Sequence, residues 1–418
     1  MRVNHRIAAH CRFQPRLETL EDRQVPAVNI WQQGATLFVQ GTGGTDQINI
    51  QDMGNGNFNV QVDNKFGVNY SGLDRIRVRT HGGDDTVNYS VDNKSMATPK
   101  FRMDVDLGSG NDNFDADIYG YDNTTNAAAP MEPCDFEFNV EGGSGSDDIY
   151  MGFFADLHSG DSLRVRFNGQ SGDDYAGFRF GGSNYRGELH ADIYGGSGHD
   201  NVSAVLGSYS SQGYNSGTIQ FDVGGESGND NVFFGFENFN DGNGEVSEVQ
   251  PNGYTYENRG ELKVRMRGGS GNDNLEIGVG EYSSLFNSGQ VKYAIDGGAG
   301  RDNITVGASD MMNSSVASSS SAPLVNNGYI DLSVEGGSSK DNIRVDTLLA
   351  ADTADAYFRV RVKGEGNSDN IRLAAYRYNN ILGTALAQVK AGPMDYLWIT
   401  PNVDLQGARS SRITYLPM

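Results

Sequence analysis

Residues Glu261 to Val279 read ELKVRMR-GGSGND-NLEIGV, and their pattern decides the fold. Leu262, Val264 and Met266 alternate with Lys263, Arg265 and Arg267; past the glycine-rich turn, Leu275, Ile277 and Val279 alternate with polar residues or glycine. A side-chain period of two puts one face of each run in a core and the other in solvent, which is strand geometry. The block recurs as ELHADIY-GGSGHD-NVSAVL from Glu188, TIQFDVG-GESGND-NVFFGF from Thr218 and VKYAID-GGAGRD-NITVGA from Val291. Looser copies are LRVRFN-GQSGDD-YAGFRF, YIDLSVE-GGSSKD-NIRVDT and ATLFVQ-GTGGTD-QINIQD. No long segment of helical period separates them, so the chain is expected to be all-β.

The turns close on Asp46, Asp85, Asp112, Asp147, Asp174, Asp200, Asp230, Asp273, Asp302, Asp341 and Asp369, spaced 26 to 43 residues apart. A near-constant unit with variable polar inserts is the signature of a solenoid. One coil buries about six apolar side chains, worth ~1.5–3 kcal/mol each. Ordering its roughly thirty residues costs ~1–2 kcal/mol apiece, so a lone coil cannot fold and the copies must stack. The expected architecture is a parallel β-solenoid of about eleven coils, one Gly-Asp turn per coil. A string of antiparallel hairpins joined by the same turns is the alternative; stacking is preferred because it aligns turns of one chemistry. The expected layout is an N-terminal targeting segment over 1–27, the repeat domain over 28–375 and a C-terminal cap over 376–418, where the motif stops.

Fifty-four acidic against 32 basic residues leave a net charge of −22 over 418 residues. Such a surface repels nucleic acid and favours cations as partners. No apolar run is long enough for a membrane-spanning helix. The two cysteines, Cys11 and Cys134, do not make a disulfide framework.

The turn GGSGND-NLE matches the nonapeptide G-G-x-G-x-D-x-U-x, U being apolar, and so resembles the RTX or haemolysin-type calcium-binding repeats. The match is complete from Gly142, Gly195, Gly268 and Gly297; elsewhere Gln170 and Glu226 replace the second glycine, Leu107 the first and Ser339 the third. The resemblance implies Ca2+ held between stacked turns, with Asp112, Asp147, Asp174, Asp200, Asp230, Asp273, Asp302, Asp341 and Asp369 as ligands and folding coupled to binding. The sequence departs from that family in placing one turn per coil rather than one every nine residues, so only one edge can carry metal. Calcium chemistry independently suits the motif: a hard cation wants six to eight oxygens, Asp supplies charged ones, and glycine permits the positive φ that turns carbonyls inward. The competing reading needs no ion, with each Asp accepting local N–H groups and the recurring asparagines Asn113, Asn201, Asn231, Asn274, Asn303, Asn342 and Asn370 forming a hydrogen-bonded ladder.

The segment FQPRLETLEDRQVPA, Phe13 to Ala27, resembles a short N-terminal motif of exported planctomycete proteins, which implies an extracellular or cell-surface location. No zinc, phosphate-loop or nucleophile-elbow motif is present, and the six histidines are scattered. The pairs Asp104/Asp106 and Asp115/Asp117 fall on alternate strand positions and are expected on exposed faces. The sequence therefore points to a non-enzymatic, structural or adhesive calcium-binding protein, with calcium and surface polysaccharides or proteins as partners. The alternative is a carbohydrate-active lyase or epimerase on a parallel β-helix, which would need Asp, Lys, Arg or Tyr from several coils clustered in a lateral groove. The loop tyrosines Tyr209, Tyr214, Tyr254, Tyr256 and Tyr282 are candidates for a binding surface.

Overall fold

The computed structural model describes residues 27–63, 65–91, 100–119, 121–122, 127–128, 135–182, 184–208, 213–238, 256–279, 285–307, 324–350, 357–365, 368–377, 384–390, 396–399, 405–406 and 413–415. Residues 1–26 of the targeting segment, both cysteines, the candidate tyrosines Tyr209, Tyr254 and Tyr282, and the inserts after Asn238 and Gly307 lie outside them. Among the described residues the structure is all strand and turn, with no helix.

Each alternating run forms a strand, and the runs on the two sides of a corner go to different sheets. The run before the corner joins a fourteen-stranded sheet, in which Glu261–Ser270 pairs in parallel with Thr218–Ser227 on one side and Gln290–Ala299 on the other. The run after the corner joins a second sheet, where Asn274–Val279 lies parallel between Asn231–Asn238 and Asn303–Val306. Register is exact-coil to coil: Leu262 sits beside Val291, Met266 beside Ile295 and Leu275 beside Ile304, all buried. One winding of the chain thus supplies one strand to each sheet, and the expected parallel β-solenoid is what the chain forms. The core between the sheets is rich in aromatic rings, with Phe178, Phe221 and Phe234 in one continuous file.

A third, short strand completes the middle coils: Asn184–Tyr185, Gly213–Asn215, Tyr256–Asn258, Leu285–Asn287 and Leu324–Asn326 stack in parallel. Tyr256 is wholly buried here, so it is a core residue and not part of a loop surface. Tyr214 lies under the Arg259 guanidinium, 5.1 Å from ring centre to Cζ.

The ends differ. At the N-terminal end the antiparallel hairpin of Asn29–Gln33 with Thr36–Gln40, and the meander of Gln47–Asp52, Phe58–Val62 and Val68–Tyr70, close both sheets. The strands left at the two edges, Asn29–Gln33 and Val68–Tyr70, are short, which blunts their pairing edges. After Asp369, Thr384–Lys390 and Leu405–Gln406 extend the first sheet, while Tyr396–Ile399 and Ile413–Tyr415 extend the second, all in parallel. Backbone pairing needs alternation and not the corner motif, so the ladder outlasts the last Gly-Asp turn in the segment expected as a cap.

Candidate functional site

The corner aspartates form a single file. The backbone N–H of Asp46 donates to Oδ1 of Asp85, and that of Asp85 to Oδ1 of Asp112. The pattern repeats through Asp147, Asp174, Asp200, Asp230, Asp273, Asp302, Asp341 and Asp369, with every bond between 2.7 and 3.0 Å. All eleven side chains are at most 3% exposed. One carboxylate oxygen per coil therefore satisfies the N–H that the tight corner would otherwise leave without a partner.

The other oxygen is the anomaly. Oδ2 of Asp85, Asp112, Asp147, Asp174, Asp200, Asp230, Asp273, Asp302 and Asp341 is buried without a hydrogen-bond partner. The first corner differs, because Thr42 N–H donates to Oδ2 of Asp46 at 2.6 Å. Burial pushes the Asp112 carboxyl up to about 7, with Asp147 and Asp85 adding repulsion and the Asp85 N–H pulling the other way. Burial likewise raises Asp85, Asp174, Asp200, Asp273, Asp302 and Asp341 to about 6. Asp147 and Asp230 are raised for the same reason.

The glycines divide by role. Positive φ belongs to the second and third of the motif, as at Gly269 (+106°) and Gly271 (+138°). The first glycines, Gly142, Gly195, Gly268 and Gly297, belong to the metal set expected from the sequence; none has a positive φ in this structure, and what they contribute is absence of bulk. A Cβ on Gly268 would lie 2.5 Å from both Oδ2 of Asp273 and the carbonyl oxygen of Gly297. At Gly142 the corresponding distances, to Asp147 and Gly169, would be 2.6 and 2.7 Å. Oδ2 and a glycine carbonyl of the following coil thus converge on one small space beside Gly142, Gly169, Gly268 and Gly297.

Two outer rails flank the file. At several corners the residue before the Asp links coils through its backbone: Ser146 N–H donates to Asn111 Oδ1, Asn229 N–H to His199 Nδ1 and Arg301 N–H to Asn272 Oδ1. The residue after it forms part of the expected asparagine ladder, Asn231 donating to Asn201, Asn303 to Asn274 and Asn342 to Asn303.

A second buried column escaped the reading of the sequence. Asn215, Asn258, Asn287 and Asn326 end the short third strands and pass side-chain amide bonds from coil to coil at 2.7–2.8 Å. Their signal was an N-x-G triplet before each first-sheet strand: Asn215-Ser216-Gly217, Asn258-Arg259-Gly260, Asn287-Ser288-Gly289 and Asn326-Asn327-Gly328. Asn258→Leu removes the acceptor of Asn215 and a donor to Asn287, both fully buried. Two orphaned polar groups should cost about 2–4 kcal/mol in a urea titration, and a loss under ~1 kcal/mol would show that the column is not stabilising.

The other carboxylates are dispersed. Asp104 and Asp106 face outward on the first sheet and are paired with Arg75, Arg77, Arg102 and Arg79. Asp115 and Asp117 face outward on the second sheet, where burial raises both and Asp148 adds to the rise at Asp115. Among the described residues no three His, Cys, Asp or Glu side chains gather into a metal-binding cluster. A cation in the corner file would take one carboxylate oxygen per coil and draw the rest from backbone carbonyls. Set beside known protein families, curated proteins and solved structures, the chain matches none.

Proposed function

We propose that this chain is an exported, non-enzymatic β-solenoid whose corner file takes up Ca2+, coupling its stability to calcium-rich surroundings, and that it serves as a structural or adhesive component of a cell surface or matrix. The observation that carries this reading is the recurrence of a buried, partnerless Oδ2 in nine successive coils. Each such group, if ionised and uncompensated, costs ~1–3 kcal/mol or more. Nine of them would cost ~9–27 kcal/mol, as much as or more than the ~5–15 kcal/mol by which folded domains are stable. Something must neutralise the file. Asp112, Asp147, Asp174, Asp200, Asp230, Asp273, Asp302 and Asp341 would hold the ion through Oδ2, with the glycine carbonyls that converge beside Asp147, Asp174, Asp273 and Asp302 as neutral ligands; Asp369 closes the file. Bound calcium would supply positive charge and oxygen coordination at a point where the protein offers only acceptors. The resemblance of Phe13–Ala27 to an export motif supports the location, since exteriors supply millimolar calcium.

The test is a pair of melts at pH 8, one with chelator and one in millimolar calcium, followed by circular dichroism. A site loaded at 100 times its Kd adds ~2.7 kcal/mol, so several sites should raise Tm by more than ~10 °C. Identical curves would overturn the reading. The pH arm separates calcium from protons. Folded-state carboxyls at about 6 to 7 against the ordinary aspartate value of 3.8 mean that the metal-free fold binds more protons than the unfolded chain. Stability held by the neutral acids is complete below pH ~3.8 and disappears as pH rises through 6 to 7. Chelated protein should therefore melt higher at pH 5 than at pH 8, with the calcium increment largest at pH 8. A strong acid dependence with no calcium response would identify a file filled by protons alone.

A further inference from the structure

At the N-terminal end, the outward face of the first sheet carries a cleft of about 500 Å³. One wall is aromatic: the rings of Trp31 and Phe38 stack at 5.0 Å with 5° between planes, and Trp31 is 39% exposed. The other is cationic. The strand Arg75–Arg79, reading RIRVR, projects Arg75, Arg77 and Arg79 to the same side, with Arg102 beside Arg75 on the next strand. In the register, Phe38 stands opposite Arg77, and Arg77 opposite Asp104.

The ion pairing is uneven. Asp104 is saturated by Arg75, by Arg102 at 2.9 Å and by the Asn139 amide at 3.0 Å. Arg77 reaches it only at 3.5 Å, and Arg79 approaches Asp106 at 3.6 Å with 71% of its side chain exposed. Two guanidinium groups are thus loosely held next to an aromatic platform. The cleft lining holds four arginines against Asp104, Asp106 and Glu141, a balance of 4 − 3 = +1 within a chain of −22.

We infer that this cleft binds an acidic saccharide, one sugar ring lying on Trp31 while its carboxylate or sulfate is taken by Arg77 and Arg79. The planar guanidinium fork matches an oxyanion, and the indole face offers apolar contact to a sugar ring. Asp106 and Glu141 in the lining count against a ligand that offers phosphate groups alone, since ionised carboxylates accept but cannot donate, and a sugar's hydroxyls give them donors. The chain's net charge of −22 counts against a long polyanion such as a nucleic acid. The acidic remainder of the surface limits the ligand to a short anionic stretch. This inference is independent of the corner file.

Calorimetric titration of the full chain in one buffer, with a galacturonate trisaccharide, a sulfated galactose disaccharide, cellotriose and a short single-stranded oligonucleotide, tests it. One or both acidic saccharides should bind and the neutral one should not; the two acidic arms tell carboxylate from sulfate. Trp31→Ala and Arg79→Gln should each weaken binding by about tenfold or more. Arg301→Gln, an exposed arginine at a corner, should leave it unchanged. Arg79 is mostly solvent-exposed, so its variant should melt as the parent does, and it remains decisive if Trp31→Ala disturbs the end hairpin. Equal binding of cellotriose, stronger binding of the oligonucleotide, no binding of either acidic sugar at millimolar concentration, or parental affinity in Arg79→Gln would each overturn the assignment.

Discussion

Gly271→Ala should destabilise the protein by more than ~4 kcal/mol, one of the rare substitutions of that size. Gly271 holds φ at +138°, a region closed to residues with a Cβ, and that conformation alone costs an alanine ~1–3 kcal/mol. A Cβ there would also overlap the carbonyl oxygen of Gly228 in the preceding coil, and backbone cannot swing aside as a side chain can. Moving Gly271 away would break its N–H bond to Ala299, at 2.7 Å. In a stacked array each coil contacts only its neighbours, so the damage should be local and the transition should split into two steps, as the flanks unfold separately. The second glycine position is more forgiving: Gln170 and Glu226 already occupy it at φ +74° and +76°. Gln170→Gly should change stability by under ~1 kcal/mol. Urea denaturation of both variants checks the contrast, and a small, cooperative loss in Gly271→Ala would mean that the coils are packed less tightly than described.

Asp273 should separate its two oxygens by substitution. Asp273→Ala deletes the acceptor of the Asp230 N–H, a 2.9 Å bond, and leaves a buried donor orphaned at ~1–3 kcal/mol. It should also reduce bound calcium, as should Asp302→Ala. Asp273→Asn keeps the acceptor and replaces the partnerless Oδ2 with an amide facing the space shared with the Gly297 carbonyl. In chelator at pH 8 the asparagine variant should therefore melt higher than the parent, whose carboxyl, at about 6, is ionised there. The difference should shrink towards pH 4, where the parent acid is neutral and the amide is unchanged. In millimolar calcium the order should reverse, because the amide has lost the charge that holds the ion. If Asp273→Asn is the less stable protein in chelator at pH 8, Oδ2 is compensated in some way other than cation or proton.

The departures from the motif show how local chemistry reaches the architecture. Ser339 stands where the other strong copies have the third glycine, and it does not adopt positive φ. Its first-sheet strand, Tyr329–Glu335, stops before the corner, whereas Gln290–Ala299 runs through it. At the matching position of the preceding coil, Gly300 has φ +139° and the carbonyl oxygen of Gly271 where a Cβ would sit, a conformation that a serine at 339 does not take. Thr42 is a similar case. It made the first copy look weak, and it supplies the N–H that completes Asp46.

What the sequence by itself determined is the repeating unit. Period-two alternation assigns strands, and recurrence of one corner motif demands stacking, because an isolated coil cannot repay its entropy. Strand class, the parallel solenoid and the alignment of eleven corners follow from these local and periodic signals. Only the tertiary structure decided what each oxygen in the file does, which glycines act through φ and which through lack of bulk, that an asparagine column runs along another edge, and that Trp31 faces a bank of arginines. Those facts depend on contacts between residues about thirty positions apart. Side-chain periodicity records which face is buried, but not the distance or direction at which one coil meets the next.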